Sequence, residues 1–516
     1  MDRKITSEQL QVTCRFSFIN VKECGIQAAY GTHTIASITG IVNVGEAGKA
    51  FLDSEKDNVT VSCRDASGTE KVLFIGMISR ISFSQEGKFA TVSLKAVSYS
   101  YKMDIKRKSR SFQDLSKTFR DVAETVISGY GGKLGFPVQD RKLKYPLIQY
   151  RETDFQFLKR MLSYIGTGIT AGDTSKKIRL TAGILSEGKK KEINLSRHPH
   201  SEIPYRKAGK ITGHRGYEIW DAEDIRVGDA VSVQGKTFYV KEEELTLKDG
   251  ILDIRIRVFP KVCFEEEKIP ADTLSGTVLN GVVLKTAGET VKMKLDIDKE
   301  QEEGKAYPYP WRPITGNFLY CMPEPGTRAA LYFGRAEESS GMVVYNIREN
   351  GDVLEDFRDY EHRYFNTVKG KSMYLSPSSI GMRSLTGKGA SISVVDGGRV
   401  GISTGSQMSI LAEGPVSLSG KNVILRATKE TTIVRKDMIS PTVINMCNAF
   451  DAIGKVGGFG AIPQEGKKDK KEDMRHRKTE DYSLSEAVST VLGSLPADTG
   501  GNKPLDKISA AMPWLG

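Results

Sequence analysis

Residues 381–405 read GMRSLTGKGASISVVDGGRVGISTG, and this stretch decides the fold of the C-terminal third of the chain. Glycines recur in it every eight residues, at Gly381, Gly389, Gly397 and Gly405. Apolar residues run in register with the glycines, in pairs separated by one residue: Ile392/Val394, Val400/Ile402, Met408/Ile410 and Val416/Leu418. Short strands joined by turns at a fixed period are typical of β-solenoids, because one unit cannot bury its apolar row alone.

A sheet built from these strands in one chain would leave unpaired backbone edges that promote aggregation. Three identical chains wound around one axis would remove the edges and give the apolar rows a common dry core. We therefore predict a triple-stranded β-helix over residues 371–436. The eight apolar residues are its predicted core, and the four glycines its predicted turns. An ordinary β-meander is the alternative.

The sequence before the repeat predicts a small β domain over residues 273–350. Its candidate strands are Gly276–Val283, Thr290–Ile297, Arg328–Phe333 and Met342–Ile347. About five short strands in such a length suit a small barrel such as an OB-fold. An OB-fold can bind single-stranded nucleic acid through aromatic and basic residues. The candidates are Trp311, Tyr320, Tyr332, Phe333, Arg312 and Arg335, but the core of a structural barrel explains the same aromatic residues.

Two further β regions lie upstream, over residues 1–100 and 167–262, with a helical segment between them. In the first, apolar residues alternate from Ala90 to Ala96, which predicts a strand. Between the β regions, helical spacing is found for Leu115, Phe119, Val122, Val126 and Ile127, and Gly129, Gly131 and Gly132 provide the predicted stop. A second helix is predicted from the capping box Thr153–Gln156, with Gly166 at its C′ position. The hairpins predicted around Gln85–Lys88 and Asp249-Gly250 are similar, which indicates an internal duplication, although unrelated hairpins would look much the same.

Residues 437–516 differ from the rest and predict an appended tail. Apolar helices are predicted at Thr442–Ile453 and Ser483–Leu495, on either side of the charged run Lys467–Lys478. The whole chain of 516 residues has a formal net charge of +11, which identifies no partner by itself. It shows neither a secretory signal sequence nor a run of about 18 apolar residues. We therefore expect cytoplasmic synthesis and no membrane span.

Residues 149–160, QYRETDFQFLKR, resemble the signature Q-Y-R-E-T-D-x-x-F-L-x-R of the VgrG-like spike proteins of contractile injection systems, a family that includes phage baseplate hub and late-control proteins. Residues 109–114, SRSFQD, are similar to the family's R-x-F-Q segment. The OB-fold of the family is matched by Tyr309–Pro313, Pro325-Gly326 and Leu331–Gly334, and its needle by the eight-residue repeat. Residues 1–60 match poorly, which leaves open a secretion system, a tailocin, a phage tail or an extracellular particle.

The resemblance implies a mainly β protein with a small α+β insert. Its implied parts are a first tube-like hub barrel (1–100), the insert (101–166), a second tube-like hub barrel (167–262), an OB-fold collar (273–350), a triple-stranded β-helix needle (371–436) and the C-terminal tail (437–516). Two barrels per chain in a homotrimer give six quasi-equivalent barrels, which would seat a threefold spike on a sixfold tail tube. The needle would puncture a target membrane when the sheath contracts.

The resemblance also implies partners and a location. The implied partners are two further copies of the chain, the tail-tube protein, baseplate proteins, a PAAR-like tip protein, and an effector or chaperone at the tail; nucleic acid is not expected. The chain would be made in the bacterial cytoplasm, assembled into the baseplate of an injection particle, and delivered to the target envelope on contraction. The target membrane would be contacted only on firing.

Candidate chemistry is sparse, and we expect no enzyme, no metal and no cofactor. Arg151, Glu152 and Asp154 suggest an acid/base site, but a helix start offers a simpler account: Glu152 and Asp154 favour its positive N-terminal end, and Arg151 can pair locally. His198 and His200 lack clear further metal ligands. The interval of residues 351–370 is too short for a glycosidase domain. Two alternatives remain: an envelope-degrading activity in the tail, or a tail that serves as an effector adaptor.

Overall fold

The computed structural model describes residues 6–45, 57–64, 69–184, 190–222, 224–316, 320–347, 360–367, 369–384 and 386–425, together with the backbone of 431–435 and 442–446. These residues fall into two compact units, one up to residue 347 and one from residue 360. The structure is mainly β, with strands in several sheets and few helices. This agrees with the predicted fold class.

The chain begins with six strands of a curved antiparallel sheet: β1 (Leu10–Thr13), β2 (Asn20–Ala29), β3 (Ile35–Asn43), β4 (Asn58–Arg64), β5 (Glu70–Glu86) and β6 (Phe89–Ser98). They pair in the order β1-β4-β5-β6-β3-β2. Alternate side chains of β6 point into the core, so that Ala90, Val92, Leu94 and Ala96 are buried. The alternation predicted for this strand is confirmed.

The α+β insert follows, after a 3₁₀ turn at Tyr99–Asp104. Its elements are β7 (Arg107–Phe112), α1 (Phe119–Ser128), β8 (Lys133–Gly135), β9 (Leu147–Thr153), α2 (Asp154–Ser163), β10 (Ile169–Ala171) and β11 (Arg179–Ala182). Both helices begin with capping boxes, at Thr118 and Thr153. At the end of α2, the amides of Gly166 and Thr167 bond the carbonyls of Ser163 and Leu162, a Schellman motif with Gly166 at C′. Both predicted helices are confirmed, but α1 begins at Phe119, so Leu115 of the predicted apolar stripe lies before it.

Six more strands extend the first sheet: β12 (Lys191–Ile193), β13 (His200–Lys207), β14 (Lys210–Trp220), β15 (Ala230–Val233), β16 (Lys236–Lys248) and β17 (Ile251–Phe259). Strand β2 pairs with β16, and the order continues through β17 and β14 to β13. An antiparallel bridge between Thr6 and Ile251 joins the tip of the β16–β17 hairpin to the start of the chain. The first set of strands therefore closes into a ring that includes this hairpin tip.

A five-stranded barrel follows, which we call the collar: β18 (Thr277–Ala287), β19 (Thr290–Leu295), β20 (Pro308–Pro310), β21 (Arg328–Phe333) and β22 (Gly341–Ile347). The strand order is β20-β19-β18-β21-β22, and a bridge between Trp311 and Val343 connects the two ends. Tyr309, Trp311 and Phe333 fill the core together with Ile148 of β9. The collar thus packs directly on the insert.

The second unit is an antiparallel meander of β23 (Arg363–Asn366), β24 (Lys371–Ser376), β25 (Ser379–Ser384), β26 (Ala390–Val395) and β27 (Arg399–Thr404), with a separate pair β28 (Thr431–Arg435) and β29 (Thr442–Met446). Gly389 and Gly397 lie in turns with positive φ. The prediction that Gly381 lies in a turn is wrong, because Gly381 is inside β25 beneath the ring of Tyr374. Gly405 directly follows β27, and its backbone touches that of Lys388.

Three further predictions need correction. The helix predicted from Thr442 is wrong where the structure describes it, because Thr442–Met446 is the strand β29, paired with β28. The insert does not end at residue 166, since Ile169 and Leu180 belong to its core. The β16–β17 hairpin does not belong only to the predicted second barrel (167–262), because it contributes to two hydrophobic cores. Leu245 and Leu252 pack in the core of the first strands, while Val240 and Val258 pack in a second core. The remaining predictions for the tail, over residues 447–516, lie outside the described residues.

Candidate functional site

One face of the meander is apolar and exposed, and we call it the apolar face. It consists of two rows of side chains that pair across the strands. The first row is Met373, Met382, Ile392 and Ile402, and the second is Leu375, Ile380, Val394 and Val400. Each of the eight is between 42% and 66% exposed. Contiguous apolar surface of this kind marks an interaction site in a soluble protein.

The first row lines a concavity of about 620 Å³, to which Phe365 and Met408 also contribute. The concavity is therefore walled by side chains from several strands of one sheet. Full burial of a Val, Leu, Ile or Met side chain stabilises a structure by about 1.5–3 kcal/mol. Because these side chains are already about half covered, covering the rest would contribute roughly half of that for each residue. Eight residues per chain make the face a strong candidate for association.

The predicted core residues beyond β27 have a different setting. Met408, Ile410, Val416 and Leu418 are all exposed. They lie in residues 406–425, a described segment in which no strand is formed. A strand needs a neighbour to accept and donate its backbone hydrogen bonds. The eight-residue spacing continues here without such a neighbour inside the chain.

The QYRETDFQFLKR segment contains two buried polar networks. The first is centred on Asp154, at the start of α2, whose side chain is 1% exposed. Its carboxylate accepts hydrogen bonds from Lys108 Nζ (2.5 Å), Arg110 Nη2 (2.6 Å), Tyr130 Oη (2.6 Å) and Gln149 Nε2 (2.9 Å). Burial by itself raises the pKa of Asp154, but the hydrogen bonds from Lys108, Tyr130 and Gln149 outweigh it and lower the pKa. Asp154 is therefore held as an anion.

The second network is centred on Arg160, whose side chain is 2% exposed. Its guanidinium donates two hydrogen bonds of 2.8 Å to Glu152 and one of 2.5 Å to Glu338 of the collar. It also bonds the carbonyl of Ile148 and the hydroxyl of Tyr164. Burial disfavours the cation, but the hydrogen bonds to Glu152 and the charge of Glu338 raise the pKa of Arg160. The network ties α2 to the collar.

These contacts decide the acid/base hypothesis for this segment. Glu152 and Asp154 are buried and fully engaged with cations, so neither carboxylate has a free face toward a substrate. Arg151 has a φ of 53° and lies over the ring of Tyr150, away from both networks. The three residues are adjacent in sequence but serve different contacts. The sequence signature is explained by packing of the insert against the collar.

A further contact, which no sequence pattern predicts, links Ser100, His33 and Asp104. Ser100 Oγ lies 2.8 Å from His33 Nδ1, and His33 Nε2 lies 3.5 Å from Asp104. This connectivity resembles a hydrolase triad. Ser100 is only 1% exposed, however, and its hydroxyl also lies 2.9 Å from Ser98 Oγ. Burial lowers the pKa of His33. The arrangement joins the first barrel to the insert and presents no nucleophile at the surface.

The remaining candidates are placed as follows. His198 Nδ1 lies 3.2 Å from the carbonyl oxygen of Trp220, and His200 Nδ1 lies 3.0 Å from that of His198. No group of metal-ligating side chains occurs among the residues that the structure describes. In the collar, Trp311, Tyr332 and Phe333 are at most 3% exposed, while Tyr320 is exposed. Bases cannot stack on rings that lie inside a core. Trp311, Tyr332 and Phe333 therefore have a structural role.

Residues 48–187 match the phage tail baseplate hub (GPD) family. The match shows that this region is similar to baseplate hub domains. The matched region includes strands β4 to β6 of the first sheet and the whole insert, with Asp154 and Arg160 at the centres of the two networks. No curated protein matches the sequence significantly.

Solved structures show that the VgrG-like fold extends beyond the matched region. The E. coli c3393 protein, a component of the type VI secretion system with structural similarity to the T4 bacteriophage tail proteins gp27 and gp5, is 12% identical; the match covers 66% of this chain and all of that one, with a TM-score of 0.50. A chain of the lidded Francisella PdpA-VgrG complex is 8% identical, with 75% and 76% coverage and a TM-score of 0.52. A chain of the half-lidded Francisella PdpA-VgrG complex is 8% identical; the match covers 78% of this chain and 88% of that one, with a TM-score of 0.50.

The predicted resemblance to VgrG-like spike and baseplate hub proteins is confirmed at the level of family and fold. Together with this fold, the match of residues 48–187 to a phage tail baseplate hub supports a coarse function like that of a baseplate hub or tail-spike protein. Within the described part of the chain, every helix is too short or too polar to cross a bilayer.

Proposed function

We propose that this chain is the homotrimeric, non-enzymatic hub and spike of a contractile injection system. The hub barrels seat on the sixfold tail tube, and residues 371–436 form a needle that punctures the target membrane on contraction. The observation that carries the proposal is the apolar face. A single chain leaves eight large apolar side chains about half exposed in two straight rows.

Threefold association covers such a face economically. Each chain supplies one sheet, and three sheets around an axis turn their apolar rows toward one another. The strands β23 and β27 are the edges of the meander, and a neighbouring chain on each side removes both edges. A closed prism of this kind is stiff along its axis, which suits the transmission of force.

The role of the hub follows from its two barrel cores. Three chains would present six cores, and β16 and β17 link the two cores within each chain. We further propose that a PAAR-like protein caps the needle and that the tail contacts an effector or chaperone. The non-enzymatic assignment is supported by Glu152 and Asp154, whose buried carboxylates are already paired with cations.

The test is the mass of the purified protein under native conditions. We expect three chains of 56.9 kDa each. Ile402→Asp places three carboxylates in one dry seam, so trimers should be lost or strongly weakened. Ile410→Asp tests the continuation of the rows beyond β27. Ser403→Asp is the matched control, because Ser403 is the next residue on the other face of β27 and should leave the trimer intact.

Limited proteolysis of the same samples separates the needle from the hub. In the wild type, residues 371–425 should resist protease, and in Ile402→Asp they should be cleaved even if hub contacts still hold three chains together. A wild-type monomer at working concentrations would overturn the proposal. Unchanged trimers with a protected needle in Ile402→Asp would overturn the assignment of the apolar face.

A further inference from the structure

A cleft of about 600 Å³ lies between the insert and the collar, and its lining residues include Tyr164 and Glu338 of the Arg160 network. We call it the basic cleft. Its floor is apolar and includes Phe119, Pro146, Leu147 and Ile165. Its rim carries four cations: Arg141, Lys142, Lys144 and Lys268. The two carboxylates of the cleft, Glu337 and Glu338, are paired with Lys268 and Arg160. An apolar floor with a predominantly basic rim is a surface for recognition of an amphipathic partner.

The basic side of the cleft is held in place by the backbone. The amide of Phe119 donates to the carbonyl of Arg141 (3.1 Å), and the amide of Leu143 donates to that of Lys117 (3.0 Å). The side chain of Leu143 is buried beneath this segment. The cations are therefore presented by an ordered backbone, which reduces the entropy lost when a partner binds.

The carboxylates of the cleft are already used. Glu337 pairs with Lys268 at 3.2 Å, and Glu338 is buried against Arg160. Within the described residues, Arg141, Lys142 and Lys144 make no ion pair with a carboxylate. Three cations thus stand beside the apolar floor without a counter-charge from the protein. These exposed cations are available to an anionic partner.

Tyr145 gives the cleft an aromatic wall. Its side chain is 40% exposed, and Lys144 Nζ lies 5.6 Å from the centre of its ring. On the opposite side, Lys268 lies over the ring of Tyr164 at 5.2 Å. An aromatic or aliphatic side chain that enters between these walls would be covered on two sides. A nucleic acid strand would need a longer basic track with several exposed rings, whereas this cleft is short.

We propose that the basic cleft is a docking site for an acidic segment of another polypeptide. An aromatic or aliphatic side chain of the segment inserts beside Tyr145, and its carboxylates face Arg141, Lys142 and Lys144. The site lies wholly within the first unit, so it depends neither on the needle nor on trimer formation. It would connect a baseplate or cargo protein to the side of the hub.

The test uses fluorescent synthetic peptides and the full-length protein. The probe Glu-Glu-Phe-Leu-Glu-Glu should bind measurably at low salt, and its affinity should fall several-fold between 50 and 300 mM salt. Two control peptides separate the contributions: Lys-Lys-Phe-Leu-Lys-Lys reverses the charge, and Glu-Glu-Ser-Ser-Glu-Glu removes the apolar side chains. Both should bind at least tenfold more weakly than the probe. Equal binding of all three peptides would overturn the proposal.

Variants locate the binding. Lys142→Glu/Lys144→Glu should weaken the probe at least tenfold, Tyr145→Ala should weaken it several-fold, and Tyr145→Phe should restore it. Lys95→Glu, on the exposed face of β6, is the control for charge and should have no effect. Unchanged affinity in the double variant overturns the proposal. Tighter binding of a single-stranded oligothymidine, lost in the same variant, or full displacement of the probe by millimolar inorganic phosphate would also overturn it, in favour of nucleic acid or a simple anion site.

Discussion

Arg160 of α2 donates a 2.5 Å hydrogen bond to Glu338 of the collar, although the two residues are 178 positions apart in the chain. The same guanidinium holds Glu152, so one cation serves two buried carboxylates from different parts of the hub. The collar is thereby fixed to the insert by charge as well as by the apolar contact of Ile148. This junction would carry force from spike to hub.

Arg160→Ala should destabilise the hub strongly. Removal of the guanidinium leaves Glu152 and Glu338 buried without their cation, and loss of one partner of a buried pair costs about 3–5 kcal/mol. We expect a clear fall in the free energy of unfolding, measured by urea titration. Arg120→Ala is the control, because Arg120 forms a 2.8 Å pair with Glu124 on the exposed face of α1 and should change stability little. Equal effects of the two substitutions would contradict this account of the junction.

Glu243 predicts a pH dependence of stability. It is 4% exposed and bonds Arg226 at 2.9 Å, with Asp173 and Asp229 nearby. Burial, together with the charges of Asp173 and Asp229, raises its pKa to about 7 in spite of Arg226. Below the ordinary pKa of 4.5, the carboxyl is protonated whether the chain is folded or unfolded. As the pH rises from 4.5 to 7, the unfolded state ionises first, so the folded state loses relative stability.

The free energy of unfolding should therefore fall on going from pH 5 to pH 7.5, by an amount on the order of 1–3 kcal/mol from this group. Glu243→Gln should reduce the fall, measured by urea titration at pH 5, 6 and 7.5. Glu242→Gln is the matched control, since Glu242 is the preceding residue of β16 and its side chain is 45% exposed. A Glu243→Gln variant with the same pH profile as the wild type would refute the assignment.

Local sequence signals predicted the local structure well. Thr153 with Gln156 forms the capping box that its spacing indicates, and Gly166 ends the helix as expected, because these contacts lie within one or two turns. The collar strand Arg328–Phe333 also has its predicted bounds. Periodicity is sufficient in such cases, since each signal and its partner lie close together in the chain.

Long-range pairing was beyond the reach of the sequence. No residue near Arg160 in the sequence indicates that its partner is Glu338. The acidic residues of the signature suggested an acid/base site, whereas in the structure Glu152 and Asp154 form ion pairs. The barrel boundary failed for a related reason: β16 and β17 are long enough to serve two cores, and alternation reports burial without saying in which core. The four regularly spaced glycines also have different structural roles. At different positions, glycine is required by a turn, by a close backbone contact or by an aromatic neighbour.

Gly381 is the case with an aromatic neighbour, and it gives the last prediction. A Cβ atom at this position would lie 2.6 Å from the ring of Tyr374 on the adjacent strand, which is closer than side-chain contacts allow. Gly381→Ala should therefore destabilise the meander by about 1–3 kcal/mol, seen as faster proteolysis of residues 371–404 and a lower melting temperature.

The steric origin of this effect is tested by removing the ring. Tyr374→Ala loses the stacking of Arg383 on the ring at 5.4 Å, but in the double variant the added methyl group meets open space. The cost of the double variant should be clearly smaller than the sum of the two single costs. Gly414→Ala is the control, because a Cβ atom there has no neighbour within 4 Å and the substitution should be tolerated. If the stability costs of the two single substitutions are additive, the ring of Tyr374 does not cause the requirement for glycine at position 381. In that case, the turn that the eight-residue spacing predicts at Gly381 would have to be reconsidered for the proposed trimeric needle.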